Sequence, residues 1–321
     1  IVFGDWSSDV CSSDLKKNLG SDHLIIAVRL NNLALLLRST GRASEAETLL
    51  RQALEIDERI LGTSHPTYAR HLGNLATTLQ EVNRLEEAEP LLIRAIAVME
   101  QTLGEENPEL ANALNNLGLL LRDTHRRSEA EPLFCRAIEI LEKTLGMEHP
   151  KLGPPLTSLA SLYQDTGRLP EAEKLLRRAL SIDEKSLGTS HPSVAYRLKN
   201  LGALLCFGSH PADAIPVMKR ALQIDISNLG AEDSSHKLLL HTLIRLNKDV
   251  GSPSEAAQYY PSLLALEEKS RAEQADLAAL HNNFASLLKS LGQLSEAERH
   301  YGMALAILEK CLQPDDPKIA T

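Results

Sequence analysis

The chain has 321 residues, of which 43% are hydrophobic and 24% charged, and carries a formal charge of -9. That balance argues against a nucleic-acid backbone as partner, and no apolar run approaches the roughly eighteen residues of a membrane-crossing helix. The four cysteines lack Cys-x-x-Cys spacing, which argues against a disulfide framework or a structural zinc site.

Taken in chain order, residues 1–15 stand apart. The run from Asp5 through Trp6, Cys11 and Asp14 to Leu15 has no counterpart further on and looks like a translated sequencing adapter fused in frame. It is set aside from the fold, and removing its three aspartates (Asp5, Asp9 and Asp14) takes the charge from -9 to -6. Residues 16–23 align with the run that ends at His65 and are expected to be the end of a truncated preceding repeat.

From 24 to 314 a block of about forty-two residues recurs seven times, marked by junctions such as Leu61-Gly62-Thr63-Ser64-His65-Pro66 and Leu187-Gly188-Thr189-Ser190-His191-Pro192. A period of this size predicts a solenoid. Residues 315–321 open a further block, so both ends are expected to be cut.

Each block begins with a helix of the kind Leu30-Asn31-Asn32-Leu33-Ala34, in which Leu30, Leu33, Ala34 and Leu37 share an inward face with Leu36 beside it. Gly41 ends this helix, as Gly167, Gly251 and Gly292 do in theirs, and Asn83 takes the place once. A longer second helix follows, from Ser44 to about Leu61 in the first block. Ser44 with Glu47, Ser128 with Glu131 and Ser295 with Glu298 read as capping boxes, each worth about 1 kcal/mol. The alanines of this helix fall at 46, 88, 130, 172, 214, 256 and 297. The sixth block departs from the pattern through Ile244, Asn247, Leu263 and Pro261, which predicts a kink or hinge there.

These columns, with small residues after Leu33, Leu75, Leu117, Leu159 and Leu201, resemble tetratricopeptide repeats over residues 16 to 321. The long period, the Leu-Gly-x-x-His-Pro junctions and the Glu-Ala-Glu-Pro-Leu runs are similar to the kinesin light chain subtype, which also occurs in bacterial signalling proteins. The resemblance implies an all-α fold, a right-handed α-solenoid of about seven helix-turn-helix repeats whose first helices line a concave groove. One groove column runs Asn32, Asn74, Asn116, Ser158, Asn200, Thr242, Asn283. Its neighbour runs Asn31, Gly73, Asn115, Thr157, Lys199, His241, Asn282 and is expected to project further into the groove.

Carboxamides offer a donor and an acceptor together, so such columns suit the backbone of an extended peptide. The alternative is that the Asn32 column bonds to adjacent repeats. Arg38, Arg70 and Arg122 would add charge selection. The Lys-Asn-Asn-Lys-Arg order with which chaperone cofactors of this family hold a terminal carboxylate is absent, so an internal segment is the expected ligand.

Phosphate-loop, zinc-protease and nucleophile-elbow motifs are missing. No catalytic residue, metal ligand or cofactor is assigned, and His23, His65, His149 and His191 read as junction and capping residues. The sequence thus predicts a non-catalytic cytoplasmic scaffold that binds a peptide or helix. The other reading is a sensor arm of a larger signalling ATPase or protease. The fragment could also stack end to end, because a solenoid without capping repeats exposes an apolar end.

Overall fold

The computed structural model describes residues 23–208, 211–269 and 274–311. The adapter-like segment with Trp6 and Cys11 and the expected partial repeats at 16–22 and 315–321 lie outside the described residues. Every regular element described is helical, and the chain divides into two units, Ile1–Thr166 and Gly167–Thr321.

In the first unit α1 (Leu24–Ser39) pairs with α2 (Ala43–Ile60), α3 (Pro66–Glu81) with α4 (Leu85–Leu103), and α5 (Pro108–Asp123) with α6 (Arg127–Leu145). A 3-10 turn at Pro150–Leu152 then leads into α7 (Gly153–Asp165). Each second helix also packs on the next first helix, and α1, α3, α5 and α7 contact one another in succession. That arrangement sets the first helices side by side along one flank.

The second unit opens with α8 (Leu169–Leu187), followed by the pair α9 (Pro192–Phe207) and α10 (Ala214–Leu229). Next come α11 (Lys237–Asp249), the short α12 (Pro253–Ala257) and α13 (Tyr260–Lys269), and the closing pair α14 (Gln274–Ser290) and α15 (Leu294–Cys311). The break at Gln258 and Tyr259 is the kink expected in the sixth repeat, and it sets Pro261 at the second position of a new helix, where a missing backbone donor is harmless.

Close crossing explains the small-residue column. A Cβ added to Gly118 would come within 2.6 Å of the Phe134 ring, and one on Gly202 within 2.8 Å of the Met218 side chain. Repeats with alanine at this place (Ala34, Ala76 and Ala160) carry Leu50, Leu92 and Leu176 at the Phe134 position, so small and large residues trade volume across each pair. Ile244 and Tyr260 break that trade in the sixth repeat, both are buried, and the second helix divides beside them.

The column of second-helix alanines at 46, 88, 130, 172, 214, 256 and 297 is buried throughout. Leu36 is not: it is 60% exposed, while its equivalents Leu120, Leu162 and Leu204 are buried. The helices that carry those residues pack on a preceding second helix, and α1 has none among the described residues. Asn83 and His125 take positive φ, 61° and 62°, at the turn that Gly41 makes with 78°. His125 had not been singled out in the sequence.

The capping boxes are not formed. The helices start one residue earlier than expected, at Ala43, Arg127 and Leu294, so Ser44, Ser128 and Ser295 fall inside the first turn. The N-cap residues are Arg42, Arg84, Arg126 and Arg168, none of which caps with its side chain. Arg42 instead grips Glu45 through two bonds of 2.6 Å. Arg84 grips Glu87 likewise and also reaches back to Glu47 of the preceding repeat at 2.8 Å. Arg126 repeats this with Glu129 and Glu89, and these arginines hold the Glu87 and Glu129 carboxyls below their usual range. Exposed pairs of this kind stabilise little; their effect is to fix register between successive second helices.

Candidate functional site

First helices enter their repeats through a shared cap. His23, His65, His149 and His191 precede the helix or turn, and each accepts through Nδ1 from the backbone N–H two residues on, at 3.1 to 3.2 Å. Asn107 and Asp233 do the same with side-chain oxygens at 2.8 Å. The cap satisfies a backbone donor that the helix leaves open, so these histidines serve the junctions as their spacing suggested.

Past the caps, the first helices of the first unit border a hollow of about 560 Å³. Asn31, Asn32, Arg70, Asn74, Asn112 and Asn116 face it, with Val28, Leu35 and Met99 supplying apolar surface and Glu109 and Lys151 standing at its margin. Five of the sequence-derived site residues thus meet in one place. Arg70 and Asn32 are exposed, and Asn74 and Asn116 are half-buried.

The carboxamides divide between two duties. Asn74 Nδ2 donates to Asn31 Oδ1 at 2.7 Å across the joint between the first two repeats, and Asn116 Nδ2 donates to Thr77 Oγ1 at 3.2 Å across the next. Bonds between neighbouring repeats were one of the two alternatives for the Asn32 column, and these two members make them.

Two members of the Asn31 column do not stand open in the groove as expected, although His241 and Asn282 of the same column are exposed. Asn31 and Asn115 are turned inward and only 5% and 8% exposed. The register of α1 brings Asn31 against α3, where Asn74 meets it. Asn115 Oδ1 has no partner among the described residues. Its counterpart Asn31 is met by an asparagine from the next repeat, whereas the residue placed to meet Asn115 is Ser158, whose side chain is shorter.

Two of the three arginines are engaged within the fold: Arg38 pairs with Glu81 at 3.1 Å, and Arg122 reaches Asp123 at 2.8 Å and Ser161 at 3.0 Å. In the second unit Lys199 pairs with Asp225 at 3.1 Å and borders an apolar hollow of about 480 Å³ with Phe207 and Leu238, which are 71% and 79% exposed. Asn200 is half-buried, and Asn282 and Asn283 are exposed, Asn283 bordering a separate hollow with Lys248.

A buried histidine–carboxylate hydrogen bond and a buried ion pair were missed in the sequence. His71 and Asp57 meet at 2.6 Å with both side chains fully buried, and Arg197 and Asp183 meet at 2.9 Å with 9% and 4% exposed. A signal for them exists. In the second-helix column Asp57, Met99, Leu141, Asp183, the residue fourteen places on is His71, Ala113, Pro155, Arg197. In these four repeats acid occurs where a base follows and apolar residues occur together; in the fifth, Asp225 has Leu239 fourteen places on and pairs instead with Lys199.

Comparison with known proteins bears on the fold as a whole. A tetratricopeptide-repeat family profile matches residues 14–59, 24–101, 67–143 and 155–227, and a second tetratricopeptide-repeat profile matches 277–318. A putative kinesin light chain with nearly identical repeats from Podosopora anserina is similar at 26% identity and a TM-score of 0.53, covering 65% of this chain and 99% of that one. PilF of Pseudomonas aeruginosa is similar at 22% identity and a TM-score of 0.50, covering 78% of this chain and 99% of its own. A Rap protein complexed with Competence and Sporulation Factor shares the fold at 14% identity and a TM-score of 0.59, covering 94% of this chain and 80% of its own. No curated protein matches the chain by sequence.

Proposed function

Because this chain belongs to the tetratricopeptide-repeat family, whose members generally act as protein-protein interaction scaffolds, we propose that it is a non-catalytic scaffold binding a peptide or partner helix against its first helices. The observation that carries the reading is the hollow of the first unit. Three successive first helices bring Asn32, Arg70, Asn74 and Asn116 to one open surface, with apolar Val28 and Leu35 between them. Mixed lining of this kind suits an extended segment, because amides take its backbone while the apolar residues receive side chains. The Rap protein solved with Competence and Sporulation Factor supports it further, as a chain of this fold that holds a partner.

Testing needs a variant that leaves the joints between repeats intact. Asn115 and Asn116 are poor choices, since one is buried and the other bonds to the neighbouring repeat. Arg70 and Asn32 are exposed on the hollow. Peptides selected from a random display library on the whole chain are expected to bind the double variant Arg70→Glu, Asn32→Ala about tenfold more weakly, at unchanged helicity. Binding equal to the parent would discard the site.

A further inference from the structure

Gly73 is a glycine that the fold does not require. It lies inside α3 without a positive φ, and a Cβ added there would meet nothing within 4 Å. Glycine in a helix interior is less stable than alanine. Gly118 and Gly202 are explained by Phe134 and Met218 pressing on them, but no side chain presses on Gly73. Gly302 shares its open surroundings yet stands exposed on α15, whereas Gly73 borders the hollow between α1, α3 and α5.

Neighbouring repeats show what is missing. Gly73 occupies the column held by Asn31 before it and Asn115 after it. Across the first joint, Asn31 Oδ1 accepts from Asn74 Nδ2 at 2.7 Å. Across the second joint Asn116 stands in the place of Asn74 but finds no carboxamide opposite, and its Nδ2 turns to Thr77 Oγ1 at the longer distance of 3.2 Å. The vacancy matches one carboxamide in position and polarity.

A second, independent vacancy borders the same hollow. His71 is fully buried and its Nδ1–H donates to Asp57 Oδ2 at 2.6 Å, because a carboxylate can only accept. This leaves the Nε2 lone pair buried and without a partner among the described residues. Buried polar atoms are rarely left so. An occupant of the hollow is therefore asked for an oxygen that accepts from Asn116 and an N–H that serves His71.

We propose that the hollow takes an extended peptide bearing an asparagine or glutamine side chain, whose carboxamide fills the place that Gly73 leaves open and completes the row of amides between repeats. The proposal rests on the groove function above and adds the residue class that the groove selects.

The test uses the whole chain and a random dodecapeptide library displayed on phage. Recovered peptides are synthesised and titrated against the parent, Gly73→Asn, Gly73→Ala and Arg70→Glu. The recovered sequences are expected to share an asparagine or glutamine whose replacement by leucine weakens binding at least about tenfold. Gly73→Asn, which supplies the carboxamide from the protein, is expected to weaken binding to a similar extent without lowering the melting temperature. Gly73→Ala is expected to raise that temperature by about 2 °C.

Recovered peptides without a shared carboxamide, or parent-like binding by Gly73→Asn while Arg70→Glu still weakens it, would overturn the inference and leave the groove function standing. Recovery of no peptide at all would overturn both.

Discussion

Residue by residue, the fold buries charge between its helices. Asp57 and His71 lie fully inside the joint between α2 and α3, and Asp57 Oδ1 has no partner among the described residues. Breaking such a pair leaves one charge stranded, whereas replacing both partners by fitted apolar residues is often neutral or better. The next joint already shows the apolar solution, with Met99 and Ala113 in the same two places. His71→Ala alone is therefore expected to destabilise by about 3 kcal/mol, and the double variant Asp57→Met, His71→Ala to recover most of that loss. Urea unfolding of both variants checks this; equal losses would show that the two side chains act separately. The exposure of Arg70 and Asn32 on the hollow was legible in the sequence because helical spacing alone assigns a face. Asn31 and Asn115 were misjudged because they lie at the edge of that face, where a small rotation of the helix decides between groove and joint.

At the scale of the element, the closing pair α14 and α15 carries a titratable contact. His281 Nδ1 and His300 Nδ1 meet at 2.9 Å, so one ring must donate and the other accept. Phe284 packs tilted against His300 and Tyr260 from α13 stacks on Phe284, each at 4.7 Å between ring centres. Burial lowers the pKa of both histidines and their mutual repulsion adds to it for His300; Arg299 also opposes the proton, while Glu268 and Glu296 favour it. The unfolded chain then binds protons more readily than the folded one. Stability from this contact is full above the unfolded histidine value of about 6.5 and is lost as the pH falls through the lower folded values. The urea midpoint of the parent should fall between about pH 7.5 and about pH 5.5, and His300→Phe should fall less because one of the two sites is gone. An equal fall in both would place the titration elsewhere.

Helix ends show a different limit of the sequence. The serines of the supposed capping boxes had the right spacing to their glutamates, yet Arg42, Arg84 and Arg126 take the cap position, and their forked bonds to Glu45, Glu87 and Glu129 occupy the first turn. A shift of one residue is below what capping patterns resolve. The break before α13 was legible because Pro261 and an oversized Ile244 coincide in one repeat.

Over the whole molecule, regularity made the architecture readable and hid the site. Residues that recur in every repeat, such as the buried alanines of the second helices, describe packing, and they were read correctly from their period alone. Function is expected where a column changes without a packing reason, as at Gly73. A column has to be seen in three dimensions before that reason can be judged absent. No helix among the described residues is long and apolar enough to cross a membrane, and the amide-lined hollow of the first unit remains the surface on which a scaffold function would act.

Hydrogen exchange of the whole chain with and without a selected peptide locates the bound partner directly. The peptide is expected to slow exchange in the first helices α1, α3 and α5 while leaving the second helices α2, α4 and α6 as they were. Protection confined to the second helices, or found in neither set, would contradict binding in the groove.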